Sequence, residues 1–256
     1  MNTFLIIAAI IGTVVTHSAQ TQAQQPVVSK PFGPGEKLKF MLKWGNIPAG
    51  EATLEVLPIE TINGEEVYHF VMTAETNSFV DIFFRVRDKI DSYTDLDVTR
   101  SLLYKSKQRE GSYKRDILVD FDWTKQQAQY SNASKKKPPL PIFLGTVDPL
   151  SALYHVRTNE LQEGVDVRRP VTDGRNNVTG TVQVIRRETV KVPAGTFETF
   201  LIQPQTEGIG GVFQKSKNAK LYLWVTADHR RMPVKVKSKV AVGSFVGELV
   251  SVKNPS

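Results

Sequence analysis

The residues best suited to acid–base chemistry are four aspartates that fall within ten positions of one another. They are Asp88, Asp91, Asp95 and Asp97. Two carboxylates on either side of a cleft could act as acid and base in glycoside hydrolysis, and a cluster of them could bind calcium. Arginine and lysine residues adjoin the aspartates, so the segment is also typical of a polar strand followed by an Asp-rich turn. We keep Asp88, Asp91 and Asp95 as acid and base candidates and favour the structural interpretation.

Other signatures of catalysis or cofactor binding are missing from the sequence. The histidines outside the N-terminal segment, His69, His155 and His229, do not have metal-ligand spacing. The chain contains no G-x-S-x-G elbow, no P-loop and no dinucleotide fingerprint. It also lacks cysteine, which excludes thiol catalysis, disulfides, Cys-ligated metals and lipoprotein acylation. We therefore expect no catalytic residue set, no metal and no cofactor.

The densest aromatic run of the sequence lies just before the aspartates. It consists of Phe79, Val80, Ile82, Phe83 and Phe84. In an exposed groove these side chains would contact a lipid or another hydrophobic ligand, whereas in the core they would only pack, which is the simpler expectation. Two residues of a later segment complete the predicted ligand contacts. The full set is Phe79, Phe83, Phe84, Leu153 and Tyr154.

A basic run at Lys135, Lys136 and Lys137 is a candidate contact with an anionic membrane surface. The alternative is a solvated loop, because two prolines follow the lysines. The whole chain has a formal charge of +7 and a pI near 9.5. Such a protein, if exported, is attracted to anionic phospholipid, lipopolysaccharide or acidic polysaccharide, or the charge serves solubility alone. Export argues against nucleic acid as the partner. The sequence does not indicate an oligomeric state.

Residues 1–23 have the features of a cleavable secretory signal peptide. The segment lacks charged side chains, and its single apolar run is too short to span a bilayer. Thr21 and Ala23 place small side chains at the −3 and −1 positions, which predicts cleavage after Ala23. An uncleaved anchor is the alternative, because no Lys or Arg precedes the apolar run. We expect a periplasmic protein with a flexible linker over residues 24–34 and a single β-rich domain over residues 35–253.

The candidate aspartates, aromatic residues and lysines lie in a sequence whose pattern is typical of short strands. Apolar and polar residues alternate from Lys37 to Lys43, as in a half-buried strand, and Asn63-Gly64 predicts a hairpin. Further turns are predicted at Ile47–Gly50, Arg109–Ser112 and Pro193–Gly195. Strand-like segments recur about every ten residues. This spacing indicates an all-β, mainly antiparallel sheet, sandwich or barrel, with Trp44 and Trp224 as core residues.

One segment departs from the strand pattern and predicts a helix. Asp148 is a suitable N-cap, and Pro149 follows it at the first helical position. Apolar residues then share one face at helical spacing, with Leu150, Leu153 and Tyr154 among them. We therefore expect one short helix near residues 148–160.

Seven short motifs, in this order and spacing, carry a family resemblance. They are Gly35–Leu38, Trp44–Gly50, Asp148–Tyr154, Val192–Phe197, Leu223–Asp228, Arg231–Val234 and Gly243–Phe245. Together they resemble the bacterial family catalogued as domain of unknown function 3108. The resemblance implies an exported envelope protein of Gram-negative bacteria with a mainly antiparallel β fold and no established activity. A looser architectural similarity to lipoprotein carriers implies a curved or spiral sheet, or an open barrel-like half-barrel, whose concave apolar face holds acyl chains.

These observations leave three hypotheses for the function. The preferred one is a non-catalytic periplasmic protein that binds a hydrophobic or lipidic ligand, or another envelope component. The second is an enzyme that uses carboxylates to act on envelope polysaccharide or peptidoglycan. The third is a scaffold that binds other proteins by adding a strand at a sheet edge.

Overall fold

The computed structural model describes residues 30–205, 220–240 and 243–255. The predicted signal peptide, its cleavage site after Ala23 and most of the predicted linker lie outside these residues. Within them the chain forms strands and two helices. In chain order the elements are β1 (Lys37–Trp44), β2 (Ile47–Val56), β3 (Glu60–Ile62), β4 (Glu65–Thr76), α1 (Ser78–Asp81), β5 (Arg87–Asp95), β6 (Ser101–Glu110), β7 (Tyr113–Asp122), β8 (Gln127–Asn132), β9 (Lys135–Lys136), β10 (Leu140–Pro141), α2 (Pro149–Thr158), β11 (Asp166–Thr172), β12 (Asn177–Val192), β13 (Gly195–Pro204), β14 (Lys220–Thr226), β15 (Pro233–Val240) and β16 (Gly243–Lys253).

All of these strands belong to one large sheet. Its order is β10-β8-β7-β6-β5-β4-β2-β1-β16-β15-β14-β13-β12-β11, with β3 beside β4 and β9 beside β8. The first and last strands, β1 and β16, pair antiparallel and so join the two halves of the chain. The sheet is not closed into a barrel, because β10 and β11 form its two ends. The predicted all-β, mainly antiparallel fold with an open barrel-like sheet is confirmed.

Helix α2 packs against the inward face of the sheet, in the place predicted for a short helix. The Asp148 carboxylate accepts hydrogen bonds from the N–H groups of Leu150 and Ser151, which caps the first turn. Leu150 and Tyr154 are buried in the main core cluster, where the Tyr154 ring stacks on Phe70. Val156 belongs to a second cluster, formed mainly with β12, β13 and β14. The helix therefore fills the concave side of the sheet with packed side chains.

A segment that we call the N-terminal strap, residues 30–36, is packed against α2. Phe32 is 3% exposed, and its ring meets those of Tyr68, Phe70 and Tyr154 edge-on. Residues 30–34 were expected to belong to a flexible linker, and in this part of it the chain is instead fixed to the core. The reason is that a buried aromatic ring holds the strap on the sheet.

Two local predictions from composition differ from the structure. Ile47–Gly50 is not a turn, because it forms the start of β2, and the turn lies at Gly45-Asn46. Gly50 is required by a close approach of strands, since a Cβ there would collide with the backbone carbonyl oxygen of Glu75. Trp44 is 48% exposed and stacks on Phe245 instead of filling the core. The Asn63-Gly64 hairpin is confirmed, with positive φ at both residues.

Candidate functional site

The aromatic run predicted to lie in the core is exposed at one end of the sheet. We call residues 78–84 the aromatic loop; it contains α1 and the three residues after it. Four of its side chains are largely accessible to solvent: Phe79 is 59% exposed, Ile82 75%, Phe83 76% and Phe84 51%. The Phe79 and Phe83 rings meet edge-on at 5.9 Å between centroids. The expectation that these residues only pack in the core is wrong, because the loop lies beyond the end of β4.

Polar contacts on both sides fix the aromatic loop in this position. The Asn77 side chain accepts a hydrogen bond from Val80 N–H and donates one to the carbonyl oxygen of Pro48 on β2. The guanidinium of Arg87 donates to both carboxylate oxygens of Asp81, at 3.0 and 2.6 Å. These bonds from Arg87, followed by one from a threonine hydroxyl, lower the pKa of Asp81. The apolar side chains are therefore presented on an anchored loop.

A basic groove lies beside the aromatic loop, at the ends of β4, β5, β6 and β7. Its volume is about 640 Å³, and its lining residues are Thr73, Ala74, Glu75, Arg85, Arg87, Asp88, Lys89, Lys107, Arg109, Gly111 and Lys114. Six of these are cationic and two are acidic. Strand register brings the charges together, because Lys89 pairs with Lys107 and Arg109 pairs with Lys114. The groove therefore has an excess of positive charge.

The six cations of the basic groove divide into two sets. Arg87, Lys89 and Arg109 form ion pairs with Asp81, Asp91 and Asp116, respectively. Arg85, Lys107 and Lys114 are exposed, and no carboxylate of the described residues forms an ion pair with them. The paired cations hold the walls in place, and the unpaired ones are available to an anionic ligand.

The aromatic loop and the basic groove touch each other at the β6–β7 hairpin. A Cβ on Gly111 would lie 3.0 Å from Phe84 Cε2, so the Phe84 ring rests directly on this glycine. Gly111 has a φ of +57° and its N–H donates to the carbonyl oxygen of Arg85. An apolar surface and a cationic surface thus share one border. This arrangement suits a ligand that has both an anionic and a hydrocarbon part.

The predicted acid–base candidate Asp91 is bound by two neighbours. Its carboxylate lies 2.9 Å from His69 Nε2 and 2.9 Å from Lys89 Nζ. The other ring nitrogen of His69 lies 2.6 Å from a carboxylate oxygen of Glu60 on β3. The His69 ring also stacks on Tyr93, whose pKa is raised to about 12 by burial and then by nearby carboxylates. These contacts join β3, β4 and β5 and give Asp91 a structural role.

The other aspartates also bind neighbouring groups. Asp95 accepts hydrogen bonds from the N–H groups of Thr99 and Arg100. Asp88 accepts one from the N–H of Arg109. Asp97 forms an ion pair with the ammonium of Lys30. Burial raises the pKa of Asp88, and the bond from the Arg109 N–H opposes that rise. In the part of the chain that the structure describes, no group of three or more metal-ligating side chains occurs.

The remaining predicted contacts lie elsewhere. Tyr154 is 1% exposed in the main core, and Leu153 is partly buried against it, so neither joins the aromatic loop. Burial raises the pKa of the Tyr154 hydroxyl. Lys135 and Lys136 form the short exposed β9, which is separated from β7 by β8, and Lys137 lies over the Tyr130 ring. The structure therefore brings together only Phe79, Phe83 and Phe84 of the predicted ligand contacts.

Sequence reasoning missed the cations of the basic groove. Lys107 and Lys114 lie on either side of a predicted hairpin, and Lys105, Lys107 and Arg109 alternate along β6. That alternation was the available signal, because residues two apart in a strand share one face. The alternation alone did not predict a groove, because the groove forms only where β5 and β7 place further cations beside β6.

The chain is similar to several solved structures, and the first of them supports the fold. The beta-barrel-like protein of domain of unknown function DUF1849 from Brucella abortus has a TM-score of 0.59 and 12% identity, over 88% of this chain and 99% of that chain. A protein from Bacteroides fragilis, provisionally named an exported protein with a YmcC-like fold, has a TM-score of 0.32 and 10% identity, over 88% and 98%. A provisionally named lipoprotein from Parabacteroides distasonis has a TM-score of 0.31 and 12% identity, over 87% and 98%.

A family model assigns the chain to a protein family. No helix in the described residues has the length and apolar character needed to cross a bilayer. No curated protein matches the chain. A family model described as protein of unknown function, DUF3108, matches residues 39–250, which span most of the sheet and α2. The chain therefore belongs to the DUF3108 family, as its seven motifs predicted.

Proposed function

We propose that this chain is an exported, non-catalytic protein of the cell envelope that binds an anionic amphiphile. The anionic group occupies the basic groove, and the hydrocarbon part lies on the aromatic loop. The observation that carries the proposal is the shared border of these two surfaces at Gly111 and Phe84. The leader-like residues 1–23 support export, and the basic charge of the chain supports an anionic ligand.

The charges of the groove favour a phosphate-bearing group. Arg85, Lys107 and Lys114 have no ion-pair partner within the described ranges, and they surround an open space large enough for a lipid head group. Each cation near an anionic lipid surface contributes about 1 kcal/mol. The exposed phenylalanines add a contribution to the binding free energy that does not depend on salt. It arises because their rings leave water when a hydrocarbon chain covers them.

The proposal places the ligand outside the concave face of the sheet. The architectural similarity to lipoprotein carriers implied an acyl chain against that face, but α2 packs there with Leu150 and Tyr154. The basic groove and the aromatic loop instead lie at the ends of strands, where a ligand has access from solvent. The binding of a lipid at this site requires no movement of α2.

The carboxylate enzyme receives no comparable support. Asp91 is bound to His69 and Lys89, and Asp95 accepts the N–H bonds of the turn that follows β5. These contacts account for two of the three candidates as structural residues.

The test uses dihexanoyl phosphatidylglycerol below its micelle-forming concentration, with binding measured by titration calorimetry. Lys107→Ala/Lys114→Ala should weaken binding by about 30-fold, because two cations contribute about 2 kcal/mol. Lys191→Ala/Lys253→Ala is the matched control, since both lysines are exposed on other strands and the change in charge is the same. Dihexanoyl phosphatidylcholine should bind more weakly than the anionic lipid.

Two results would refute the proposed function. One is the absence of any binding of the anionic lipid to the wild-type protein. The other is an equal loss of affinity in the groove variant and the control variant, which would assign the effect to net charge alone. Inorganic phosphate, titrated separately, should bind more weakly than the lipid because it cannot cover the phenylalanines.

A further inference from the structure

We infer that the protein docks edge-on on an anionic phospholipid bilayer through the rim of the sheet that carries the aromatic loop. This inference rests on the proposed function for the chemistry of the ligand and adds the bilayer surface as its source. It is carried by a second exposed aromatic patch, which the groove and the loop do not explain. We call this patch the hairpin patch; it consists of Trp44, Ile47 and Phe245.

Strand register defines the hairpin patch. Trp44 ends β1 and lies opposite Ile47 at the start of β2 and opposite Phe245 near the start of β16. The Trp44 and Phe245 rings stack, with 6.4 Å between centroids and an interplanar angle of 13°. The three side chains are 48%, 53% and 47% exposed. Half-exposed aromatic residues of this kind are typical of proteins that contact the interface of a membrane.

The hairpin patch and the aromatic loop belong to the same rim. Asn77, at the start of the loop, donates from its side chain to the carbonyl oxygen of Pro48 at 2.8 Å. Its backbone N–H donates to the carbonyl oxygen of Ala49 at 2.9 Å. These two bonds attach the loop to the first residues of β2, directly after Ile47. Exposed apolar side chains therefore follow one rim from β16 to α1, and the basic groove continues it to β7.

The charge of this rim identifies its partner. Arg85, Lys107 and Lys114 flank the apolar side chains, and the whole chain carries a formal charge of +7. A second copy of the protein would bring the same positive charge against the rim, which is unfavourable. An anionic bilayer offers both a complementary charge and an apolar interior for the aromatic rings.

The opposite rim provides a matched control. Phe143 and Leu144 are 60% and 75% exposed, so each is more exposed than any residue of the hairpin patch. They precede Thr146, whose carbonyl oxygen accepts a hydrogen bond from the N–H of Ser101. Ser101 begins β6, whereas the groove lies where β6 ends. An edge-on protein with the groove facing the bilayer therefore holds Phe143 and Leu144 away from it.

The first experiment measures co-sedimentation with vesicles of equal parts phosphatidylglycerol and phosphatidylethanolamine. Trp44→Ser/Phe245→Ser should weaken vesicle binding by about 10-fold or more, and Phe143→Ser/Leu144→Ser should leave it unchanged. Binding of dihexanoyl phosphatidylglycerol should be the same in all three proteins, because the groove is intact. Equal vesicle binding by the wild type and the Trp44→Ser/Phe245→Ser variant would overturn the inference while leaving the proposed function standing.

A second experiment uses a variant that retains an aromatic side chain at position 44. Its outcome therefore does not depend on whether a serine variant folds. Phosphatidylglycerol with brominated acyl chains should quench the tryptophan fluorescence of the wild-type protein in vesicles. Trp44→Phe should abolish most of that quenching, because the other tryptophans lie at partly buried positions away from this rim. Quenching that is the same in both proteins, or absent from the wild type while it is bound to vesicles, would overturn edge-on docking.

Discussion

The ion pair between Glu36 and Arg157 gives the sharpest test of how the N-terminal strap is held. The two side chains are 4% and 1% exposed, and the two terminal nitrogens of the guanidinium reach the carboxylate, at 2.6 and 2.9 Å. Arg157 also donates to the carbonyl oxygens of Pro31 and Arg230. One side chain of α2 thus joins the strap to the turn between β14 and β15.

Glu36→Gln should be strongly destabilising, because it leaves a buried guanidinium without a counter-charge. Removing one partner of a buried ion pair costs about 3 to 5 kcal/mol. We expect the lower value, about 3 kcal/mol, because the amide oxygen keeps one acceptor. For a domain of this size the melting temperature should fall by about 10 °C.

Urea unfolding followed by circular dichroism gives the free energy, and amide hydrogen exchange locates the change. The Gly35 N–H donates to the carbonyl oxygen of Val56, so its exchange should accelerate when the strap loosens. Asp122→Asn is the control, since the Asp122–Lys125 pair is exposed and its loss should cost less than about 1 kcal/mol. If Glu36→Gln costs no more than this control, Arg157 is solvated and the strap is not docked as described.

Three further predictions concern stability. Burial, followed by the charge of Arg169, lowers the pKa of His155 from 6.5 to about 4. The stability that this histidine contributes is therefore complete above pH 6.5 and is lost as the pH falls from 6.5 through 4. The loss should be about 2 kcal/mol, below the ~3 kcal/mol of a fully buried ring, because solvent screens part of this one. His155→Gln should flatten this part of the curve of unfolding free energy against pH, and an unchanged slope would contradict the assignment. Asp148→Ala should lower the free energy of unfolding in urea by at least about 3 kcal/mol. The reason is that the carboxylate accepts five hydrogen bonds, from the hydroxyls of Ser92, Ser101 and Ser151 and from two N–H groups at the start of α2. Gly50→Ala should lower stability by about 2 kcal/mol, because its Cβ would collide with the carbonyl oxygen of Glu75, and a melting temperature equal to that of the wild type would show that β2 and β4 can separate.

Local sequence patterns predicted most of the elements. Alternation from Lys37 to Lys43 identified β1, and Asp148-Pro149 identified the start of α2, because both signals depend on neighbouring residues alone. The turn predicted at Ile47–Gly50 was wrong for the opposite reason. Its Pro-Ala-Gly composition is typical of a turn, but Gly50 is needed where β4 approaches β2. A contact between distant residues decided that position.

The candidate site was only partly accessible from sequence. Composition selected Phe79, Phe83 and Phe84, yet a run of apolar residues is equally compatible with a core and with an exposed loop. Leu153 and Tyr154 were selected with them and are separated from them by packing in the core. Each strand contributes only one or two cations to the basic groove, so the charge excess arises only when β5, β6 and β7 are placed in register.

The sequence by itself determined the all-β class, the capped helix α2, the basic charge and the membership of the DUF3108 family. These properties follow from composition, local periodicity and motif order, which do not require long-range contacts. Only the tertiary structure decided that α2 fills the concave face, that the phenylalanines face solvent, and that the aromatic loop borders a cationic groove. The physical reason is that exposure and charge density depend on which strands become neighbours, and residues far apart in the chain determine that pairing.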